Sequence, residues 1–121
     1  MHRIAGLRIL VVEDEALVAM DVNDLLLTTK CQIVGPYADV GRALKAISTR
    51  QIDCAILDIH LGNEHTIYLA DALAERTIPF IWMSGHDPEI LPARHRARPF
   101  VAKPFTAQEL FDTLAHAAGL D

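Results

Sequence analysis

Short, continuous apolar runs alternate with longer stretches of helical periodicity along the whole chain. Runs such as Ile9–Val12 are typical of strands that are covered on both faces of a sheet. The stretch Val40–Ile47 has apolar residues at i, i+3, i+4 and i+7, which is typical of a helix that lies on a sheet. The pattern predicts five strands, at Ile9–Val12, Gln32–Tyr37, Ala55–Leu57, Phe80–Met83 and Phe100–Ala102.

Helices are predicted in the segments that link and follow these strands. The first spans Ala16–Thr29, the second follows an N-cap at Asp39, and the third spans Thr66–Glu75. Thr106 opens a capping-box pattern for a last helix, which Gly119 ends. Strand–helix alternation with short links predicts right-handed βαβ units. The expected fold is therefore α/β, a doubly wound five-stranded parallel sheet in a three-layer sandwich.

The link between the fourth and fifth strands is irregular. Pro88 can start a helix at its first turn, but Pro92 would interrupt it. We therefore expect a short or irregular fourth helix within residues 85–99. The link also contains a basic cluster, which we interpret as a solvated loop rather than a phosphate-binding strip. Its members are Arg94, His95, Arg96 and Arg98.

Length, composition and charge indicate which class of protein the chain belongs to and which partners are not expected. A length of 121 residues with 51% hydrophobic content suits one domain, residues 1–121, with its own core. The net charge of −5 argues against a nucleic-acid partner, whose binding surface would be basic. Cys31 and Cys54 form neither a metal-ligand pattern nor a disulfide framework, and Cys54 suits a strand core. With no apolar run of about 18 residues and no signal peptide, we expect a reduced, cytoplasmic protein without membrane insertion.

Polar residues with complementary chemistry follow four of the predicted strands. Glu13 and Asp14 follow the first strand, Asp58 the third, Ser84 the fourth and Lys103 the fifth. The carboxyl ends of parallel strands meet at one edge of an open sheet, so we expect these side chains to share one small site. Adjacent carboxylates repel one another unless a cation holds them, and a hard, oxygen-ligated ion such as Mg²⁺ suits them. The amine and the hydroxyl suit a tetrahedral oxyanion.

In these segments the sequence resembles the receiver domains of bacterial two-component response regulators, and the resemblance extends over the whole chain. Each matching segment alone is a weak signal, whereas four in order at strand ends are specific. The resemblance implies a flavodoxin-like, CheY-like (βα)5 fold with bound Mg²⁺. The matching segments are Leu10–Glu15 for the acidic pair, Ile56–Gly62 for the phosphoacceptor, Met83–Gly85 for the hydroxyl and Val101–Phe105 for the Lys-Pro-Phe signature.

The resemblance implies a metal-assisted phosphoacceptor. Asp58 would accept a phosphoryl group from a phosphohistidine. Asp14 and Asp58 would bind Mg²⁺ directly, helped by the backbone carbonyl of His60, and Glu13 would act on the metal through water. Phosphoryl transfer depends mostly on positioning and charge stabilisation, which Mg²⁺ and a lysine supply, and aspartyl phosphate is a known covalent intermediate.

The resemblance also implies a switch. Ser84 would hydrogen-bond a phosphoryl oxygen, and Lys103 would pair with Asp58 and then with the phosphoryl group. The Lys103–Pro104 bond is cis in the family, which an X–Pro bond tolerates. Phe100 stands at the family's switch-aromatic position, three residues before Lys103, and lacks the hydroxyl of the usual Tyr. We interpret Ser84 and Phe100 as the switch residues.

A second resemblance concerns the fourth strand and its link. The segment Pro79–His86 resembles that of stand-alone receivers with a Phe-Ala-Thr-Gly-aromatic motif and an altered fourth helix. Trp82, Ser84 and Gly85 fit the motif loosely, and His86 replaces its aromatic residue. This subset is associated with phosphorelay and general-stress signalling in α-proteobacteria.

The six histidines match no zinc spacing, and most are expected at the surface. His60 and His86 differ, because each lies two residues after a site residue, where the family varies its dephosphorylation rate. We interpret both as rate-tuning residues. Trp82 is expected in the core.

The leading hypothesis is a stand-alone, phosphorylation-switched receiver without an output domain, which catalyses only its own phosphorylation and dephosphorylation. Its partners would be a histidine kinase or histidine phosphotransfer protein and an unidentified downstream protein, and a homodimer is left open.

One alternative is a receiver excised from a larger response regulator or hybrid kinase. A Mg²⁺-dependent phosphohydrolase is disfavoured, because the first strand lacks an Asp-x-Asp pattern and the chain has no room for a cap domain. A pseudo-receiver scaffold is weakened because every site residue type is intact.

Overall fold

A computed structural model of the chain describes residues 2–61, 64–85 and 91–120. The strands are β1 (Arg8–Val12), β2 (Gln32–Tyr37), β3 (Cys54–Asp58), β4 (His60–Leu61), β5 (Glu64–His65), β6 (Phe80–Ser84) and β7 (Phe100–Ala102). The helices are α1 (Ala16–Leu27), α2 (Val40–Thr49), α3 (Ile67–Glu75), α4 (Ala93–Arg96) and α5 (Ala107–Ala117).

Five strands form one parallel sheet in the order β2-β1-β3-β6-β7. The chain first moves from β1 outward to β2, then crosses to β3 on the other side of β1. The direction of winding therefore reverses between β1 and β3, which is the place where open α/β sheets bind ligands. The predicted doubly wound, flavodoxin-like fold is confirmed, and the predicted strands differ from the observed ones by no more than a residue at either end.

Alternate residues of each strand pack into two separate cores, as a period of two requires. Residues such as Val11 and Ile56 face α1 and α5, whereas their neighbours Val12 and Leu57 face α2 and α3. Because both faces are covered, the central strands are apolar at nearly every position. The predicted three-layer sandwich follows, with Cys54 and Trp82 fully buried as expected.

Local side-chain hydrogen bonds set the ends of several helices. The Asp39 carboxylate accepts a hydrogen bond from the backbone N–H of Arg42 at 2.8 Å. The hydroxyl of Thr106 accepts one from the backbone N–H of Glu109 at 3.1 Å, and the Glu109 side chain accepts one from the Thr106 N–H at 3.2 Å. Both predicted caps are confirmed.

The first helix is two residues shorter than predicted. The hydroxyls of Thr28 and Thr29 donate hydrogen bonds to the carbonyls of Leu25 and Leu26 at 2.7 and 2.6 Å. Such bonds compete with the helical pattern, and Lys30 then adopts a φ of 68°. The helix therefore ends before the two threonines that apolar periodicity alone would include.

The predicted short fourth helix is confirmed: α4 contains four residues and begins after Pro92. Pro88 lies outside the described residues. The interpretation of the basic cluster as a solvated loop is wrong for His95, which is buried, and for the helical position of Arg94, His95 and Arg96, whereas Arg94 and Arg96 are exposed to solvent. Its members bind specific partners in α3, β6 and the segment before α4. His95 is 2% exposed, Arg94 binds Asp71, Arg96 donates to the Leu91 carbonyl, and Arg98 lies over the ring of Phe80.

Two backbone features were not predicted. The strands β4 and β5 pair antiparallel directly after β3 and form a separate two-stranded sheet. Gly35 has a φ of 107°, and a Cβ at this position would lie 2.9 Å from the carbonyl oxygen of Val11. Only glycine fits this close approach of β2 to β1.

Across the described ranges, no helix has the length and apolar character needed to cross a bilayer.

Candidate functional site

The five polar residues that follow the predicted strands meet at the carboxyl edge of the sheet. Glu13 and Asp14 follow β1, Asp58 ends β3, Ser84 ends β6 and Lys103 follows β7. A groove of about 410 Å³ opens at this edge. The residues that line it are Asp14, Glu15, Asp58, His60, Ser84, Gly85 and Lys103.

Three carboxylates form a compact acidic cluster, and we refer to Glu13, Asp14 and Asp58 by this name. One oxygen from each lies within 4.8 Å of the others. Glu13 and Asp58 are 2% and 3% exposed, whereas Asp14 is open to solvent. Mg²⁺ takes hard oxygen ligands and keeps several waters, so a cluster that is buried on one side and open on the other fits this ion.

Lys103 lies between the acids but nearer to Glu13 than expected. Its ammonium group donates hydrogen bonds to Glu13 Oε1 at 2.6 Å, to Asp58 Oδ2 at 3.3 Å and to Glu15 Oε1 at 3.4 Å. Burial lowers the pKa of Lys103, but the hydrogen bond to Glu13 and the charges of Asp58 and Glu13 outweigh it and raise the pKa overall. Lys103 therefore remains a cation at neutral pH. The Lys103–Pro104 bond is cis, as the family resemblance implied.

One hydrogen bond of its backbone and one of its side chain hold Glu13 in place. Its backbone N–H donates to the carbonyl of Tyr37 at 2.9 Å, and its carboxylate accepts from the backbone N–H of Glu15 at 3.1 Å. Burial, followed by the hydrogen bond with Asp58, raises the pKa of Glu13 above its usual range, and the hydrogen bond from Lys103 opposes this rise. The side chain of Glu13 is thus fixed in position, and the Lys103 ammonium stabilises its charged form.

Both oxygens of the Asp58 carboxylate accept hydrogen bonds. The backbone N–H of His60 donates to Oδ1 at 3.2 Å, and Lys103 donates to Oδ2. The hydroxyl of Thr66 donates to the carbonyl of Ile59 at 2.7 Å and holds the segment after Asp58. The carboxylate is therefore fixed at the base of the groove.

The other residues predicted for the site lie at different distances from the groove. Ser84 is 1% exposed at the groove, and its carbonyl accepts from the backbone N–H of Lys103 at 3.0 Å. His60 is exposed at the rim. Phe100 pairs in register with Trp82 and is half-buried on the α2–α3 side, away from the groove lining. His86 lies outside the described residues.

Glu15 was not predicted as a site residue. Its side chain is 65% exposed and contacts Lys103. Its place directly after Glu13 and Asp14 is the only sequence signal that indicates it, and that signal does not distinguish it from the first turn of a solvated helix.

Comparison with known proteins agrees with this geometry. Residues 9–115 match the family model described as the response regulator receiver domain. The transcriptional regulatory protein PdtaR of Mycobacterium tuberculosis is 28% identical over 111 residues, covering 88% of this chain and 54% of PdtaR. The chain spans about half the length of the curated relatives it matches.

Solved structures show the same fold. SdrG from Sphingomonas melonis Fr1 is 37% identical with a TM-score of 0.79, and the match covers 99% of this chain and 98% of SdrG. The receiver domain of the sensor histidine kinase PA1611 from Pseudomonas aeruginosa PAO1 is 20% identical with a TM-score of 0.82, covering 95% and 99% of the two chains. That structure has a magnesium ion coordinated in its active-site cleft. The family match, the sheet order and the acidic cluster agree, and the chain belongs to the receiver domains of two-component response regulators.

Proposed function

We propose that this receiver is switched by phosphorylation of Asp58. The donor would be a phosphohistidine of a histidine kinase or a histidine phosphotransfer protein. The observation that supports the proposal best is the position of the Asp58 carboxylate, which lies at the base of an open groove beside Glu13, Asp14 and Lys103. The phosphorylated form then binds an unidentified downstream protein or relays the phosphoryl group.

In the transfer step, a carboxylate oxygen of Asp58 forms a bond to phosphorus as the bond from phosphorus to the histidine nitrogen breaks. Asp14 and Asp58 would hold Mg²⁺ directly with the backbone carbonyl of His60, and Glu13 would act on the ion through water. When bound, this ion neutralises the charge on the phosphoryl oxygens. Lys103 turns from the carboxylates to the phosphoryl group and supplies a second positive charge.

The switch connects this step to a surface. The hydroxyl of Ser84 follows the phosphoryl oxygen by a shift of its loop. Phe100, on the neighbouring strand β7, turns inward to fill the space that the shift opens. A two-state element of this kind responds when the phosphorylated form favours one state by a few kcal/mol. The outer surface of β6, β7 and α5 changes shape, and a partner binds the altered surface.

We also propose that residues 1–121 act as a single receiver domain, which catalyses only its own phosphorylation and dephosphorylation. The near-complete mutual coverage with SdrG supports this organisation. The half-length match to PdtaR supports the alternative of a receiver excised from a larger regulator. The similarity of this chain to the PhyR stress response regulator, at 25% identity, supports a role in stress signalling.

The test is backbone NMR with beryllofluoride and Mg²⁺, together with phosphate incorporation from a small phosphodonor. The wild-type protein should show shifted signals around Ser84 and Phe100 and take up one phosphate. Asp58→Asn should show neither effect. Asp53→Asn is the matched control, because Asp53 lies at the opposite end of β3 and pairs with Arg8; it should respond like the wild type. Stoichiometric phosphate uptake by Asp58→Asn would show that the acceptor assignment is wrong.

A further inference from the structure

The position of α4 depends on contacts with its neighbours, because four residues are too few for a helix that is stable alone. Nε2 of His95 lies 2.6 Å from Oδ1 of Asp71 on α3. Arg94 donates to both oxygens of the same carboxylate, each at 3.0 Å. We call Asp71, Arg94 and His95 the α3–α4 clasp. The clasp joins the two helices through a single carboxylate.

The clasp is connected to the sheet strand that carries the predicted switch hydroxyl. The carbonyl of His95 accepts a hydrogen bond from the indole N–H of Trp82 at 3.1 Å. The His95 ring also meets Phe80 and Trp82 edge-on, at centroid distances of 5.8 and 6.3 Å. Phe80, Trp82 and Ser84 lie on one face of β6, because side chains alternate along a strand. Trp82 is also in register with Phe100, so α4 lies against the residues that the proposed switch would move.

The burial of His95 combines a favourable and an unfavourable contact. Within the described ranges, Nδ1 of His95 is buried and has no hydrogen-bond partner. A buried polar atom without a partner opposes the packed position. The hydrogen bond with Asp71, whose side chain is 40% exposed, favours it. Because these terms oppose each other, loss of the contact with Asp71 would weaken the packed position of α4.

We propose that the α3–α4 clasp is a latch that stabilises the unphosphorylated form, with Asp71 as the residue that holds α4 against β6. Asp71 and His95 are positioning residues, since neither lines the groove around Asp58. The inference rests on the proposed function, because the latch opposes the movement of Ser84 and Phe100. A weaker latch makes the switched state easier to reach, and the apparent affinity for a ligand of that state rises in proportion.

The test compares Asp71→Asn with wild type in beryllofluoride titrations at saturating Mg²⁺, followed by the fluorescence of Trp82, the single tryptophan. Asp71→Asn should bind beryllofluoride about threefold more tightly, the scale expected for a partly exposed ion pair, with Mg²⁺ affinity unchanged. Arg94→Gln, which leaves the His95 contact, should shift the affinity in the same direction by less. Asp112→Asn is the matched control, because it breaks an exposed ion pair with Arg3 in the opposite helical layer.

A merely structural role for Asp71 predicts a lower free energy of unfolding with no change in beryllofluoride affinity. The latch is therefore wrong if the wild type responds to beryllofluoride while Asp71→Asn binds it no more tightly than Asp112→Asn does. A wild-type protein without any response to beryllofluoride overturns the proposed function, and the latch with it.

Discussion

Lys103 donates its shortest hydrogen bond, 2.6 Å long, to Glu13, a side chain with no exposed surface. The contact with Asp58 is longer, at 3.3 Å. The Lys103 ammonium therefore stabilises the buried carboxylate of Glu13, and it holds Asp58, the proposed phosphoryl acceptor, more weakly. The same cation lies inside the cluster that Mg²⁺ is proposed to occupy, so the two positive charges oppose each other.

The first prediction follows from that opposition. Lys103→Met should raise Mg²⁺ affinity, because removal of a positive charge a few ångströms away makes the cluster more negative, and about tenfold is the expected scale in a partly solvated site. Calorimetry at neutral to slightly alkaline pH measures it. Lys45→Met removes an exposed lysine from α2 and should leave the affinity unchanged. Weaker Mg²⁺ binding by Lys103→Met would contradict the proposed arrangement.

The second prediction separates the acidic cluster from its neighbour. Asp14→Ala should lower Mg²⁺ affinity by at least about tenfold, because it removes a direct ligand from a site that uses one or two carboxylates. Glu15→Gln should have a smaller effect, since Glu15 contacts Lys103 and lies outside the cluster. Equal affinities of wild type and Asp14→Ala in calorimetry would exclude the metal assignment.

The third prediction concerns the rim of the groove. His60 is exposed there and its backbone N–H holds Asp58. Replacement of its side chain by alanine keeps that hydrogen bond and removes a group that can hinder or orient water. His60→Ala should change the dephosphorylation half-life severalfold without abolishing phosphorylation. His86→Ala is expected to do the same, and unchanged half-lives in both variants would show that neither residue tunes the rate.

The fourth prediction concerns the start of α5. Thr106→Ala removes the cap of the helix and should lower the free energy of unfolding by about 1 kcal/mol. Thr113→Ala removes a hydroxyl from the same helix that bonds the Glu109 carbonyl, and it should be neutral or stabilising because alanine favours helices. Urea unfolding of the two variants compares them directly. Equal destabilisation would mean that the capping box contributes nothing.

The fifth prediction concerns pH. The hydrogen bonds from Arg94 and then from His95 lower the pKa of Asp71 to about 2. A carboxyl whose pKa is lower in the folded than in the unfolded state contributes stability above its unfolded pKa, about 3.9, and this contribution is lost as the pH falls towards 2. The difference in unfolding free energy between wild type and Asp71→Asn should therefore be larger at pH 6 than at pH 3. A difference that does not change with pH would show that the ion pair adds no net stability.

Local features of the molecule were predictable from the sequence. The strands follow from apolar runs, and the caps at Asp39 and Thr106 bond residues only three positions away. The convergence of Asp14, Asp58 and Lys103 follows from topology, because parallel strands direct their carboxyl ends to one edge. Each of these inferences needs only the order of the residues and strands along the sequence and short-range geometry.

Features that depend on distant partners were not predictable in the same way. His95 was expected at the surface, and its burial requires Asp71, 24 positions away, and Trp82, 13 positions away. The preference of Lys103 for Glu13 over Asp58 rests on the difference between a distance of 2.6 Å and one of 3.3 Å across the sheet. Residue type and spacing carry no information on that scale, because packing of the whole domain decides it.

The alternation of buried residues along the sheet has a thermodynamic consequence. Val11 and Leu57 lie on neighbouring strands but belong to different cores, separated by the backbone of the sheet. Side chains without shared contacts usually have additive effects on stability. The α1–α5 core can therefore be redesigned, for example to raise the melting temperature, without disturbing the packing of Trp82 and α4 on the other side. The sheet thus separates two cores whose packing can be changed nearly independently.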